Sequence, residues 1–99
     1  MKVDKIKQKL KNKEPVEIKG EIAGIPSTLK LSMTDKTTET VVKGVMKEYD
    51  IVKIELYFGY NTTPTHTEEI SIRDILTTIL SNNYNFTDNG VTYPFIVKA

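Results

Sequence analysis

The chain has 99 residues, 38% of them hydrophobic and 27% charged, with a formal net charge of +1 and no cysteine. That length supports one hydrophobic core and hence a single domain over 1–99, and apolar residues spread along a near-neutral chain argue against disorder. Without cysteine there is no disulfide framework, thiolate metal site or cysteine nucleophile, and no window approaches the ~20 apolar residues of a membrane helix.

The first thirteen residues carry six lysines and Asp4, a balance of +5 that leaves −4 on the rest of the chain. Val3, Ile6 and Leu10 fall on one face at helical spacing. They predict a basic amphipathic helix within 1–14, ended by the Glu14-Pro15 step, since the residue before proline is pushed away from αR. No apolar segment follows these lysines as a secretory signal requires, so a cytoplasmic location is expected. Thirteen lysines against the single Arg73 suit solubility better than bidentate readout of bases and phosphates. The same bias hints at an AT-rich coding sequence, from a low-GC bacterium or one of its mobile elements.

From Pro15 onward the period changes to two, and a four-strand meander is expected over 16–60. Val16, Ile18 and Ile22 alternate with Glu17, Lys19 and Glu21. After a break at 24–27, Leu29, Leu31 and Met33 alternate with Thr28, Lys30 and Ser32. Thr34-Asp35-Lys36 reads as a turn. A third strand, about 38–47, carries Val41 and Val45 on one side and Val42 and Met46 on the other. A turn at 47–50 leads to a fourth strand, whose core face takes Val52, Ile54, Leu56, Phe58 and Tyr60. Gly20, Gly44 and Gly59 fall inside these strands, where glycine marks bulges or bends. They suggest strong curvature, toward a partial barrel.

Residues 61–65 read as a loop. A helix is expected over 71–82, with Ile72, Ile75, Leu76, Ile79 and Leu80 as a core-facing stripe. Ser71 is its N-cap, Asp74 stands at N3, and Ile70 and Ile75 form a hydrophobic staple. Asn82-Asn83 can end it. The segment 84–97 is a hairpin turning on Asn89-Gly90, with Phe86 opposite Tyr93 and Tyr84 opposite Phe95 on one face. Pro94 requires an edge or a bulge. The fold class is therefore α+β: a curved antiparallel sheet of about six strands, in the order α-β-β-β-β-α-β-β. An N-terminal amphipathic helix and one core-packed helix near 72–82 accompany it.

Each candidate for chemistry has a plainer reading beside it. The aromatic stretch at 54–61 looks like a base-stacking platform, yet alternation sends Phe58 and Tyr60 to the core. That leaves Tyr57 on the wet face, beside Lys53 and the anionic Glu55. The lysines at 5, 7, 9, 11 and 13 (Lys5, Lys7, Lys9, Lys11, Lys13) are polyanion-binding candidates, or simply the solvated side of the helix. His66, followed by Glu68 and Glu69, is a single histidine, too few for the usual metal shell. No nucleophile motif, phosphate-cradling loop or buried carboxylate pair is present. No catalytic residue, metal or cofactor is expected. The favoured reading is a small non-catalytic protein that binds another protein, as an accessory or inhibitor protein of a bacterial phage or mobile element. Tyr49, Tyr57, His66 and Pro94 are its contact candidates, and homodimerisation through sheet edges is a further expectation. The alternative is nucleic-acid binding through the basic helix; no membrane partner is expected.

Overall fold

The computed structural model describes residues 3–81 and 84–98. The chain folds as α1 (Val3–Lys11), β1 (Val16–Ile22), β2 (Ile25–Val42), β3 (Val45–Phe58), β4 (His66–Ser71), α2 (Ile72–Leu80), β5 (Asn85–Asp88), β6 (Val91–Pro94) and β7 (Ile96–Val97). It is α+β, with a five-stranded antiparallel sheet in the order β4-β3-β2-β1-β7 and a two-stranded sheet of β5 and β6. The large sheet is open at both edges and does not close into a barrel.

The core lies on one face of this sheet. Val16, Ile18 and Ile22 of β1, Leu29 and Leu31 of β2, and Val52, Ile54 and Leu56 of β3 are all buried. Their neighbours Glu17, Lys19, Lys30 and Lys53 are exposed, so the period-two pattern separates the two faces as expected. Ile6 and Leu10 of α1, Ile75 and Ile79 of α2, and Tyr84 and Phe95 complete the core. Each such aliphatic side chain contributes about 1.5–3 kcal/mol when removed from water. Gly20 allows the last strand to close over the first. A methyl group there would stand 2.6 Å from Phe95 Cζ and would overlap the Ile96 carbonyl.

Local signals explain the helix ends. Beyond α1, Glu14 N donates to Lys9 O (2.9 Å) and Lys13 N to Leu10 O (3.0 Å), with Lys13 at φ 59°. That is a Schellman stop with lysine where glycine is usual. Ser71 caps α2, accepting from Asp74 N (3.3 Å) and donating to Asp74 Oδ2 (2.8 Å). The predicted Asn82-Asn83 stop, and the places of the Val3, Leu76 and Leu80 side chains in their stripes, lie outside what is described.

The meander differs from expectation: three strands, not four, occupy 16–60. The predicted turn at 34–36 is a bulge inside β2, where pairing passes from Met33↔Val52 to Thr37↔Asp50. Thr34 fills the gap, donating through Oγ1 to Ile51 O (2.6 Å) and accepting from Lys36 N (3.2 Å). The predicted turn at 47–50 is regular strand. The chain reverses instead at Lys43-Gly44, whose φ values of 53° and 78° make a type I′ turn between the paired Val42 and Val45. Gly44 is thus a turn residue, not a bulge within a strand. Eighteen residues of β2 would reach about 56 Å if straight, more than the molecule's longest dimension of 40 Å. The strand therefore bends, and the bulge provides the place.

Two further corrections concern the end of β3 and the edge strand after it. Tyr60 is not a core residue: Gly59 takes φ 62°, alternation stops there, and Tyr60 is left 94% exposed. His66–Ser71, expected as loop and helix approach, is the edge strand β4, paired with β3 from Leu56↔His66 to Ile51↔Ser71. The closing hairpin has the expected register, Asp88↔Val91, Thr87↔Thr92 and Phe86↔Tyr93. Phe95 N donates to Tyr84 O (2.8 Å). Tyr84 and Phe95 are buried and Phe86 and Tyr93 pack against the same core. Past Pro94 the chain leaves the hairpin, and β7 joins β1 through Gly20↔Val97 and Glu21↔Ile96.

Candidate functional site

The expected contact residues do not converge on one site. Tyr57 is half-buried on the outer sheet face, with Lys30 Nζ 4.8 Å above its ring and its hydroxyl donating to Glu55 Oε2 (3.3 Å). Tyr60 stands beside it, between a depression of 390 Å³ that includes Tyr57 and Glu17 and one of 270 Å³ that includes Lys19 and Lys98. This gives two accessible tyrosines on one face. Two of the surrounding cations are spent on neighbours, Lys30 on Glu17 (3.7 Å) and Lys98 on Glu21 (3.3 Å), while Lys19 and Lys53 have no ion-pair partner among the described residues. Glu17, Glu21 and Glu55 on the same face offset these cations, so a polyanion meets little net positive field there.

His66 and Pro94 belong to the opposite side. The His66 ring lies 6.0 Å from that of Phe86, tilted by 59°, and its Nε2 is 2.9 Å from Glu68 Oε2. Below them the Tyr84 hydroxyl is buried and has no hydrogen-bond partner among the described residues. Burial, and after it the charge of Glu68, pushes the phenol above its ordinary range, so Tyr84 stays protonated at physiological pH. Among the described residues no three of His, Asp and Glu converge as a metal-ligand set. The histidine joins β4 to the closing hairpin. Pro94 is exposed at the end of β6, opposite Asn85.

On α1, Lys5, Lys7, Lys9 and Lys11 are exposed, as is Lys13 just beyond it, while Ile6 and Leu10 are buried beneath. Lys13 reaches Asp35 at 3.5 Å, both side chains being well solvated. Such an exposed pair adds at most about 1 kcal/mol. The helix is an amphipathic cover for the sheet whose outer side is cationic.

The feature that sequence reasoning missed is the far half of the β2–β3 hairpin. From Thr37↔Asp50 to Val42↔Val45 these two strands pair only with each other, because β1 reaches no further than Leu31 and β4 no further than Ile51. None of residues 37–50 is buried. Six paired rows make a ribbon about 20 Å long. Val41 is 60%, Val45 57% and Met46 59% exposed near its tip. Tyr49, the fourth contact candidate, lies in this ribbon, half-buried, with the Arg73 guanidinium 5.8 Å from its ring. The available signal was Lys43-Gly44 flanked on each side by two apolar residues. It is weak because type I′ turns favour Asn or Asp before the glycine.

No helix among the described residues is long and apolar enough to cross a membrane. Set against known proteins, the chain matches no family model, no curated protein and no solved structure.

Proposed function

We propose that this is a small non-catalytic binding protein that acts on another protein, and that the 37–50 ribbon is its principal contact surface. The observation that carries the reading is the exposure of Val41, Val45 and Met46 together at the tip of a ribbon with no covering element. Isolated two-stranded ribbons are marginally stable at best in water, and clustered exposed apolar side chains favour association. Fourteen ribbon residues fall short of the roughly 20–30 that each side of a standard interface uses. The ribbon therefore forms the centre of the contact, and adjoining surface completes it. A cytoplasmic accessory or inhibitor protein of a bacterial phage or mobile element is the setting that size and composition favour.

The test is capture from host lysate after nuclease treatment, comparing the native protein with Val41→Ser/Met46→Ser. A partner retained by the first and lost by the second supports the reading. Equal capture by both removes the ribbon from the interface. The second reading, polyanion binding, is favoured by the solvated lysines of the α1 segment. It predicts salt-dependent retention on heparin that Lys5→Glu/Lys9→Glu/Lys13→Glu abolishes. Homodimerisation through the β4 edge has less support, since Glu68 and Glu69 lie on that strand and charge on an edge discourages pairing.

A further inference from the structure

The ribbon's register separates its two faces chemically. Directly paired residues share a face, so Thr37, Glu39, Val41, Met46, Glu48 and Asp50 lie together. All six are exposed. This face has three carboxylates, two apolar side chains and no cation. Lys47 and Tyr49 lie on the other face, with Thr38, Thr40, Val42 and Val45.

Within the five-stranded sheet, the carboxylates outside this face are engaged, Glu55 by the Tyr57 hydroxyl and the rest by basic side chains. Glu17, Glu21, Asp35 and Glu69 each have a lysine within ion-pair distance, and Glu68 has His66. Among the described residues, the carboxylates of Glu39, Glu48 and Asp50 have no side-chain partner. Moreover, Glu39 stands directly opposite Glu48, a like-charge pairing that works against the ribbon. A bound cation relieves that repulsion, while the apolar row beside it supplies area to bury. Neither row alone specifies a partner; together they do.

Resting on the ribbon reading above, we infer that this face docks a basic segment of a partner protein, one that sets Lys or Arg beside an apolar residue. Rows on one face of a strand are two residues apart, about 6.8 Å. The matching segment therefore places its apolar side chain over Val41 and Met46, with a cation about 7 Å along over Glu39 and Glu48. An extended chain does this at i and i+2, and a helix at i and i+4. A second copy of this chain fits poorly. Two such faces packed together oppose carboxylate to carboxylate, and the basic α1 keeps Ile6 and Leu10 inside its own core. Nucleic acid meets only like charge here.

Two labelled peptides test this by fluorescence anisotropy: Lys-Thr-Val-Thr repeated twice, which sets Lys and Val at i and i+2 on one face of an extended chain, and the same peptide with Gln in place of every Lys. The lysine peptide should bind and weaken as salt rises, and Glu39→Lys/Glu48→Lys should reduce its affinity by about tenfold or more, as for other close charge pairs. Glu39→Gln/Glu48→Gln should give a smaller loss in the same direction. Lys5→Glu/Lys9→Glu/Lys13→Glu should leave binding unchanged. Circular dichroism confirms that each variant is folded. Equal binding of both peptides, lost in Val41→Ser/Met46→Ser, would overturn the charge assignment and leave the ribbon reading standing. If neither peptide binds the native protein, or the Glu39→Lys/Glu48→Lys variant binds as well as native, the inference fails. Self-association in sedimentation that disappears in the lysine variant would replace the basic partner with a second copy.

Discussion

The same two strands behave differently on either side of one bulge. Below it, β2 and β3 lie between β1 and β4, and Leu29, Leu31, Val52, Ile54 and Leu56 are fully buried. Above it, the same backbone ladder continues for six paired rows with no buried residue at all. Hydrogen bonding and the Lys43-Gly44 turn set the shape of the ribbon, but burial sets the stability of the body. Residues in the ribbon are consequently free of folding constraints that bind those in the body. Apolar side chains at its tip do not stabilise the core.

The sharpest contrast lies between two apolar truncations on the same strand. Leu56→Ala empties part of the core and should cost about 2–5 kcal/mol in chemical denaturation. Met46→Ala, ten positions earlier, should change stability by less than about 0.5 kcal/mol. A cost above about 1 kcal/mol for Met46→Ala would mean that the tip packs on something, and the comparison would break.

Polar groups divide the same way. Ribbon carboxylates are solvated, whereas the body buries the Tyr84 hydroxyl with no hydrogen-bond partner among the described residues. An unsatisfied buried hydroxyl costs about 1–3 kcal/mol, so Tyr84→Phe should be neutral or stabilising by about 1 kcal/mol. The phenol also carries a pH signature. Its folded-state pKa lies above the unfolded value of 10.0, so between the two the native state binds the proton and the unfolded state does not. Stability from this group is complete below pH 10 and falls as pH rises beyond it. Alkaline melting curves of Tyr84→Phe should lose that component of the slope.

A third change acts only on the ribbon. Gly44 has φ 78° and open space around it, so Gly44→Ala meets backbone strain of about 1–2 kcal/mol with no steric clash. Amide hydrogen exchange within 38–49 should accelerate by about fivefold or more, while the global melting transition moves little, because local opening is separable from unfolding. A matching loss of global stability would show that ribbon and body fold as one unit.

This contrast also explains what the sequence made legible. Burial leaves a compositional trace, so the alternations of β1, the first half of β2 and the second half of β3 were readable, as were Ser71 with its helix and the Asn89-Gly90 register. The ribbon buries nothing and leaves no such trace. Its Val41, Val42, Val45 and Met46 suggested a single strand with apolar residues on both sides, and its turn lacked the Asn or Asp that announces a type I′ reversal. The strand β4, HTEEIS, was missed because five of its six residues are polar or charged and only Ile70 is aliphatic. Tyr60 was misassigned because one left-handed glycine ends an alternation that composition alone would extend. Of the proposed ribbon surface, Tyr49 alone was named from the sequence, and it lies on the face opposite the three carboxylates, which were not singled out. Exposed acidic residues look ordinary until a register puts two of them opposite each other.

That pairing yields the smallest effect and the finest test. Replacing Glu39 by Lys turns a like-charge cross-strand pair with Glu48 into an opposite-charge one, and cross-strand pairs are worth about 0.2–1 kcal/mol. In free protein, Glu39→Lys should slow exchange of the ribbon amides by up to about fivefold and leave core amides untouched. The effect should shrink with added salt, since both side chains are solvated. The same substitution that tightens the free ribbon should weaken its hold on a basic peptide, and this opposition of signs separates a binding surface from a folding defect. If Glu39→Lys instead speeds ribbon exchange, the repulsion between Glu39 and Glu48 is already offset within the chain, and the acidic face holds nothing in reserve for a partner.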